Sequence, residues 1–204
     1  MTTTRDDGTG RAVAGDDMAD GETVRPAGRT PSVRVAVAAL VGVAVVIVAL
    51  DQWTKQLALD GLADGRVVPI LGGLIYLDLT HNAGAAFSLG RGFTFVFPVI
   101  AILISAAILW LSRTVRSWPW AVAMGLVLGG AVGNLGDRLF RTPGPFRGHV
   151  VDFISAFAPN AEKFPIFNIA DSALTVGVVL AIALELFGFR RDGTRAVAVR
   201  ATGA

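Results

Sequence analysis

Long apolar runs separated by compact polar motifs dominate the chain. Val35 to Leu50 is an unbroken apolar run whose helix extends through Trp53 and Leu57. Phe93 to Leu111 is a second run, and Trp118 to Gly133, extending to Phe140, is a third. The fourth starts near Ile166 and reaches Phe189. Each approaches the roughly 20 residues that cross a bilayer. Backbone groups in lipid must find partners within their own segment, so these runs predict helices. The expected spans are about 34–57, 93–111, 118–140 and 166–189, within one unit covering 32–190. Pro98 inside the second run predicts a kink, whereas Pro119 falls at a helix start. Leu74 to Thr80 partly alternates between Gly72-Gly73 and His81-Asn82, which predicts a short strand or hairpin on the bilayer surface.

Residues 1–31 are rich in Gly, Asp, Thr and Arg and lack apolar periodicity, so they read as a disordered tail. Residues 191–204 form a second charged tail. The charged lead is too long for a signal peptide, and the apolar run after it is long enough to span.

Composition agrees with the pattern. The chain is 53% hydrophobic and 17% charged, which suits a small multi-span membrane protein. It has no cysteine, which excludes disulfides, thiolate nucleophiles and cysteine metal sites. The two histidines, His81 and His149, do not form an HExxH motif. A scattered net charge of +2 gives no reason to expect a nucleic-acid partner.

The arginines and lysines set the expected orientation. Eleven of the 18 fall in three segments: the tail up to Arg34, the connection holding Arg113 and Arg116, and the tail holding Arg190, Arg191, Arg195 and Arg200. That side should be cytoplasmic, with both termini on it. The outer ends of the spans then receive Asp51, Lys55, Asn134, Asp137, Arg138, Asn168 and Asp171, and Asp152 lies on the same side. Segments distant in sequence thus bring their unusual residues to one membrane face.

An ionisable group in such a setting marks a functional site by default. Asp152 and Asp171 can divide acid and base roles: one carboxylate takes a proton from water while the other, protonated, donates to a scissile carbonyl or leaving amine. Two close carboxyls in a low dielectric do not both ionise easily. Asp171 could instead cap the helix that starts at Ser172. Asn168, three residues before Asp171, could orient the carboxylate or serve as a cap. Asp51 and Lys55 have the i, i+4 order of an ion pair, with interfacial snorkelling of Lys55 as the equal alternative. Asp137 and Arg138 are sequence neighbours, so each should pair with another segment and play a supporting part. Gly125, Gly129 and Gly133 recur every four residues, as helix-packing notches do. The small residues of Asn82-Ala83-Gly84-Ala85-Ala86-Phe87 let a second backbone approach. A Ser–Lys dyad of Lys55 with Ser88, Ser155 or Ser172 lacks a nucleophile motif.

Five motifs occur in order: Asp51-Gln52-Trp53-Thr54-Lys55, Asn82 to Phe87, Gly133-Asn134-Leu135-Gly136-Asp137-Arg138, Val150-Val151-Asp152-Phe153, and Phe167-Asn168-Ile169-Ala170-Asp171-Ser172-Ala173. Together they resemble the lipoprotein signal peptidases, the type II signal peptidases of bacteria, over about residues 35–190. The resemblance implies an all-α membrane protein with four transmembrane helices, a small extracytoplasmic β-cradle and a short periplasmic helix. It implies an intramembrane aspartic endopeptidase of the cytoplasmic membrane that needs no metal or cofactor. Its substrates would be diacylglyceryl prolipoproteins, cut on the amino side of the lipidated cysteine. Phospholipid would surround it, and globomycin-type compounds would inhibit it. The family's catalytic aspartates fall on Asp152 and Asp171. Its supporting positions fall on Asp51, Lys55, Asn82, Gly84, Gly130, Asn134, Asp137, Arg138, Asn168 and Ala170. The stretch Arg141 to Arg147 is longer than the family pattern and could alter the loop near Asp152. The competing reading, a small ion or solute transporter using the same carboxylates, needs a polar path. The inner halves of the spans offer little beyond Glu185 and Ser105. A purely structural scaffold would explain the glycines but not the five polar motifs.

Overall fold

The computed structural model describes residues 23–26, 30–84 and 95–197. Most of the expected N-terminal tail, Ala85 to Phe87 of the second motif, Ser88 and the start of the second run lie outside the described residues. In chain order come β1 (Thr23–Pro26), α1 (Val33–Gly61), β2 (Val68–Ile70), β3 (Ile75–Asn82), α2 (Val96–Leu111), α3 (Trp118–Phe140), β4 (Val150–Ala156), α4 (Ile169–Leu186) and β5 (Thr194–Val197). All four helices are long and apolar enough to cross a membrane, the second when its 3-10 extension to Thr114 is counted.

Local chemistry fixes the helix ends. The Ser32 hydroxyl accepts from the Val35 amide at 3.4 Å and caps α1. Pro119 occupies the first turn of α3, where a missing N–H costs nothing. Pro98 also falls in a first turn, that of α2, so it starts that helix rather than kinking it as the sequence suggested. At α4 the Asn168 side chain accepts from the Asp171 amide at 2.9 Å, and the Asp171 carboxylate accepts from the Asn168 amide at 3.2 Å. This reciprocal capping box starts the helix at Ile169, three residues later than the apolar pattern suggested.

α3 is the central helix and packs on α1, α2 and α4. Its small residues permit close approach. A methyl group at Gly129 would lie 2.7 Å from the Ile47 Cβ, so the expected notch meets α1. The core is alanine-rich, with Ala36, Leu40, Ala44, Ala121, Ala123, Met124 and Leu128 buried together. Val45, Leu103 and Val179 point outward and are exposed, as lipid-facing side chains are.

The connections build an antiparallel sheet in the order β2-β3-β4. The Leu74–Thr80 strand signal thus becomes one member of three. The expected short helix has no described counterpart beyond a 3-10 turn at Leu71–Gly73, residues 85–94 being undescribed. A second sheet pairs β1 with β5, Thr23 opposite Val197. β1 falls within residues 1–31, which were expected to be disordered. Four-residue strands paired across most of the chain leave no local periodicity to read.

Candidate active site

Three backbone connections hold β4 in place. Thr80 of β3 lies opposite Asp152, with Asn82 opposite Val150. The Phe153 and Ile154 amides donate to the Phe167 carbonyl at 3.1 and 2.9 Å, tying β4 to the segment that enters α4. The Val151 amide donates to Asp137 Oδ2 at 3.2 Å, tying it to α3. The Arg141–Arg147 loop folds back onto α3, with the Gly148 amide donating to the Arg138 carbonyl at 3.1 Å, and leaves β4 free to start at Val150.

Asp152 is 1% exposed and accepts two amide donors. Asn82 Nδ2 lies 2.9 Å from its Oδ2, and Asn168 Nδ2 lies 2.7 Å from its Oδ1. Burial pushes the Asp152 carboxyl up to about 6 against the pull of the Asn82 amide, with the nearby Asp171 charge adding to the rise. The same Asn168 amide donates to Asn134 Oδ1 at 3.0 Å, and Asn134 Nδ2 donates to Asp171 Oδ1 at 2.7 Å. Asp152 and Asp171 therefore sit on one hydrogen-bonded network, bridged by two asparagine amides. Asp152 is sealed and Asp171 half-buried, so the accessible edge of the pair is on α4. Asp171 both closes the capping box and meets Asn134. The cap weighed for it in the sequence is thus formed, and it leaves Oδ1 to accept from Asn134.

A second layer of charge lies beneath. Lys55 Nζ sits 2.7 Å from Asp51 Oδ2, 2.8 Å from Asp137 Oδ2 and 3.1 Å from Asn134 Oδ1, with Lys55, Asp51 and Asp137 all buried. Lys55 is therefore an internal counterion and does not snorkel. With its three protons committed it does not form the serine dyad. Ser155 donates to the Ala158 carbonyl and Ser172 to the Asn168 carbonyl. Asp51 Oδ1 accepts from the Ala170 amide at 3.0 Å, so α1 grips the first turn of α4. A methyl group at Gly130 would collide with the Ala170 carbonyl oxygen, so glycine lets α3 and α4 meet beside Asp171. Gly84 sits at φ 91°, where a side chain would strike Phe97. Its amide donates to Asn82 Oδ1 at 2.8 Å and steadies the Asn82 amide. Asp137 and Arg138 do part company, as sequence neighbours must. Arg138 lies over the Phe97 ring of α2 at 4.9 Å, within electrostatic reach of Asp152, Asp137 and Asp171.

All twelve positions singled out in the sequence fall at one end of the bundle. Two further residues join them. Arg141 Nε pairs with Asp137 Oδ1 at 2.7 Å, and Gln52 Nε2 lies 3.2 Å from Asp51, Asp137 and the Gly133 carbonyl. The i, i+4 spacing of Asp137 and Arg141 was the available signal for the first. Gln52 carried none beyond its place in a motif.

Four membrane-length helices and a small sheet that gather paired carboxyls at one end define a class: multi-pass membrane proteins with a carboxylate centre. Residues 43–187 match Peptidase_A8, signal peptidase (SPase) II. The chain belongs to the signal peptidase II family and is a peptidase of the membrane. It is 45% identical to a lipoprotein signal peptidase of Mycobacterium avium (strain 104), over 75% of this chain and 81% of that one. A lipoprotein signal peptidase of Rhodococcus jostii (strain RHA1) is 44% identical, over 75% of each chain. A solved structure of a bacterial membrane enzyme superposes with a TM-score of 0.64 at 31% identity, covering 78% of this chain and 96% of that one.

Proposed function

We propose that Asp152 and Asp171 are the catalytic pair of an aspartic endopeptidase that removes signal peptides from diacylglyceryl prolipoproteins, on the amino side of the lipidated cysteine. A water between the carboxyls attacks the scissile carbonyl carbon. One carboxylate takes a proton from the water while the other carboxyl, protonated, donates to the carbonyl oxygen; as the gem-diol collapses, the first passes the water's proton to the departing amine and the second recovers its proton from a gem-diol hydroxyl. Asp152, raised to about 6 by burial, is the better candidate to hold the shared proton. The single observation that carries the reading is the Asp152–Asn168–Asn134–Asp171 network at one end of the bundle. Asn82, Asn134 and Asn168 orient the carboxyls, Asp51, Lys55 and Asp137 lock α1, α3 and β4 behind them, and Arg138 supplies positive potential. Gly84, Gly130 and Ala170 let the backbones close around the pair.

In this reading residues 32–190 form the peptidase unit, both tails are cytoplasmic, and the three-stranded sheet lies on the outer face as a cradle for an extended substrate segment. Phospholipid surrounds the spans, and globomycin-type compounds compete for the site. The test is purified protein incubated with a diacylglyceryl prolipoprotein. Asp152→Asn and Asp171→Asn should each lose cleavage while remaining folded. Normal turnover by either variant would overturn the assignment.

A further inference from the structure

α4 carries acidic groups near both its ends. Asp171 and Glu185 are 14 residues apart, which is about 21 Å of helix and within about 40° of the same face. Thr175, Val178 and Ile182 lie between them on that stripe, and all three are exposed, Ile182 at 54%. At the inner end a groove of about 330 Å³ runs beside this stripe, with Leu111 of α2, Trp120 and Met124 of α3, and Ala181, Glu185 and Arg191 among its lining. The helices that flank the groove also flank the carboxyl pair, since Phe97 of α2 stands over Arg138. Glu185 is exposed, and among the described residues its carboxylate makes no ion pair.

We infer that this stripe and groove receive the apolar helix of the signal peptide, and that Glu185 accepts the peptide's basic N-terminal region. The inference rests on the peptidase reading and adds a specificity contact to it. Length and charge select the occupant. A signal peptide joins a positively charged segment to 7–15 apolar residues ending at the cleavage site. As a helix those residues span about 10–22 Å. With its cleaved end at Asp171, a helix at the long end of that range, about 14–15 residues, reaches Glu185 with its cationic end. Arg191 on the groove's lip repels that cation from lying farther along, which makes Glu185 its point of contact. A phospholipid tail would fill the apolar groove equally well but would gain nothing from a carboxylate at this spacing.

The test uses the full chain in proteoliposomes and two diacylglyceryl prolipoproteins that differ only in the N-terminal region, one basic and one with those residues changed to glutamate. Glu185→Lys should raise KM for the basic substrate about three- to tenfold and lower it for the acidic one, with the effect on KM rather than kcat. Unchanged KM for both, or an equal change for both, overturns the inference. A photoreactive side chain at position 182 in the Asp152→Asn background gives a readout without turnover. Capture of the signal peptide supports the groove, and capture of phospholipid alone overturns it. If the unsubstituted chain cleaves neither substrate, the peptidase reading fails and the crosslink alone decides the groove.

Discussion

Lys55 is the buried cation that ties the carboxylates behind the site together. Its ammonium holds Asp51, Asp137 and Asn134, and through them α1, α3, β4 and the first turn of α4. Lys55→Met removes the cation and leaves two buried carboxylates facing each other. Breaking a buried pair in this way costs about 3–5 kcal/mol, so the variant should melt well below the parent in detergent. Adding Asp51→Asn should recover part of the loss. An unchanged melting temperature for Lys55→Met would mean the pair contributes nothing. Asp152 gives a second residue-scale expectation. Its carboxyl is raised by burial from 3.8 to about 6 in the folded protein, so the native state holds the proton to higher pH than the unfolded chain does. Its contribution to stability is full below about pH 4 and is lost as pH rises through about 6, a swing of about 3 kcal/mol. Asn does not titrate. The stability of Asp152→Asn relative to the parent should therefore climb between pH 4 and 7 and then level off. A flat difference across that range would mean that burial does not raise this carboxyl.

Between elements, the contact that matters most to the site is the crossing of α3 and α4 at Gly130. A methyl there meets the Ala170 carbonyl oxygen and the Leu174 Cβ, and neither backbone can yield without moving the capping box that holds Asp171. Gly130→Ala should cost about 1–3 kcal/mol, as overpacking does, and lower turnover at least tenfold. Gly42→Ala on α1, where nothing lies within 4 Å, should leave both unchanged or slightly improve stability. Equal effects from the two substitutions would rule out the crossing as the cause. The helices themselves were readable from apolar runs because each run is as long as a bilayer is thick. The fourth was misplaced by three residues because Asn168 and Asp171, polar and therefore easily taken for site residues alone, also fix where α4 begins. The strand holding Asp152 was not readable. Val150 to Phe153 are buried on both faces, so no alternation betrays a strand, and β4 exists through pairing with a distant β3. The gathering of polar motifs at one end followed from topology. Their division into an asparagine-bridged carboxyl pair above a lysine-centred lock did not, because it depends on side-chain contacts between helices that the sequence only lists in order.

Across the whole molecule, the two ends of the bundle are chemically opposite. At one end lie the carboxyl pair and its buried counterions. At the other, β1 pairs with β5, the Arg116 amide of the α2–α3 connection donates to the Arg191 carbonyl at 2.7 Å, and Trp120 Nε1 donates to the Phe189 carbonyl at 2.7 Å. The described parts of the three arginine-rich segments noted in the sequence thus converge on the end away from the aspartates. In the proposed orientation, with the positive segments kept on the cytoplasmic side, the carboxyl pair would lie at the outer face and meet a lipid-modified substrate there. The lack of any cysteine in the chain makes this directly measurable. Leu71, on the turn between β2 and β3, is 73% exposed, and Arg113 is exposed in the α2–α3 connection. Single cysteines at these two positions report on opposite ends. In intact spheroplasts a membrane-impermeant maleimide should label position 71 at once and position 113 only after permeabilisation. The reverse pattern would turn the molecule over and put Asp152 and Asp171 on the cytoplasmic side. The proposed reading of basic peptide ends by Glu185 would then fail as well, because that groove would open at the outer face, where the cationic end of a signal peptide does not reside.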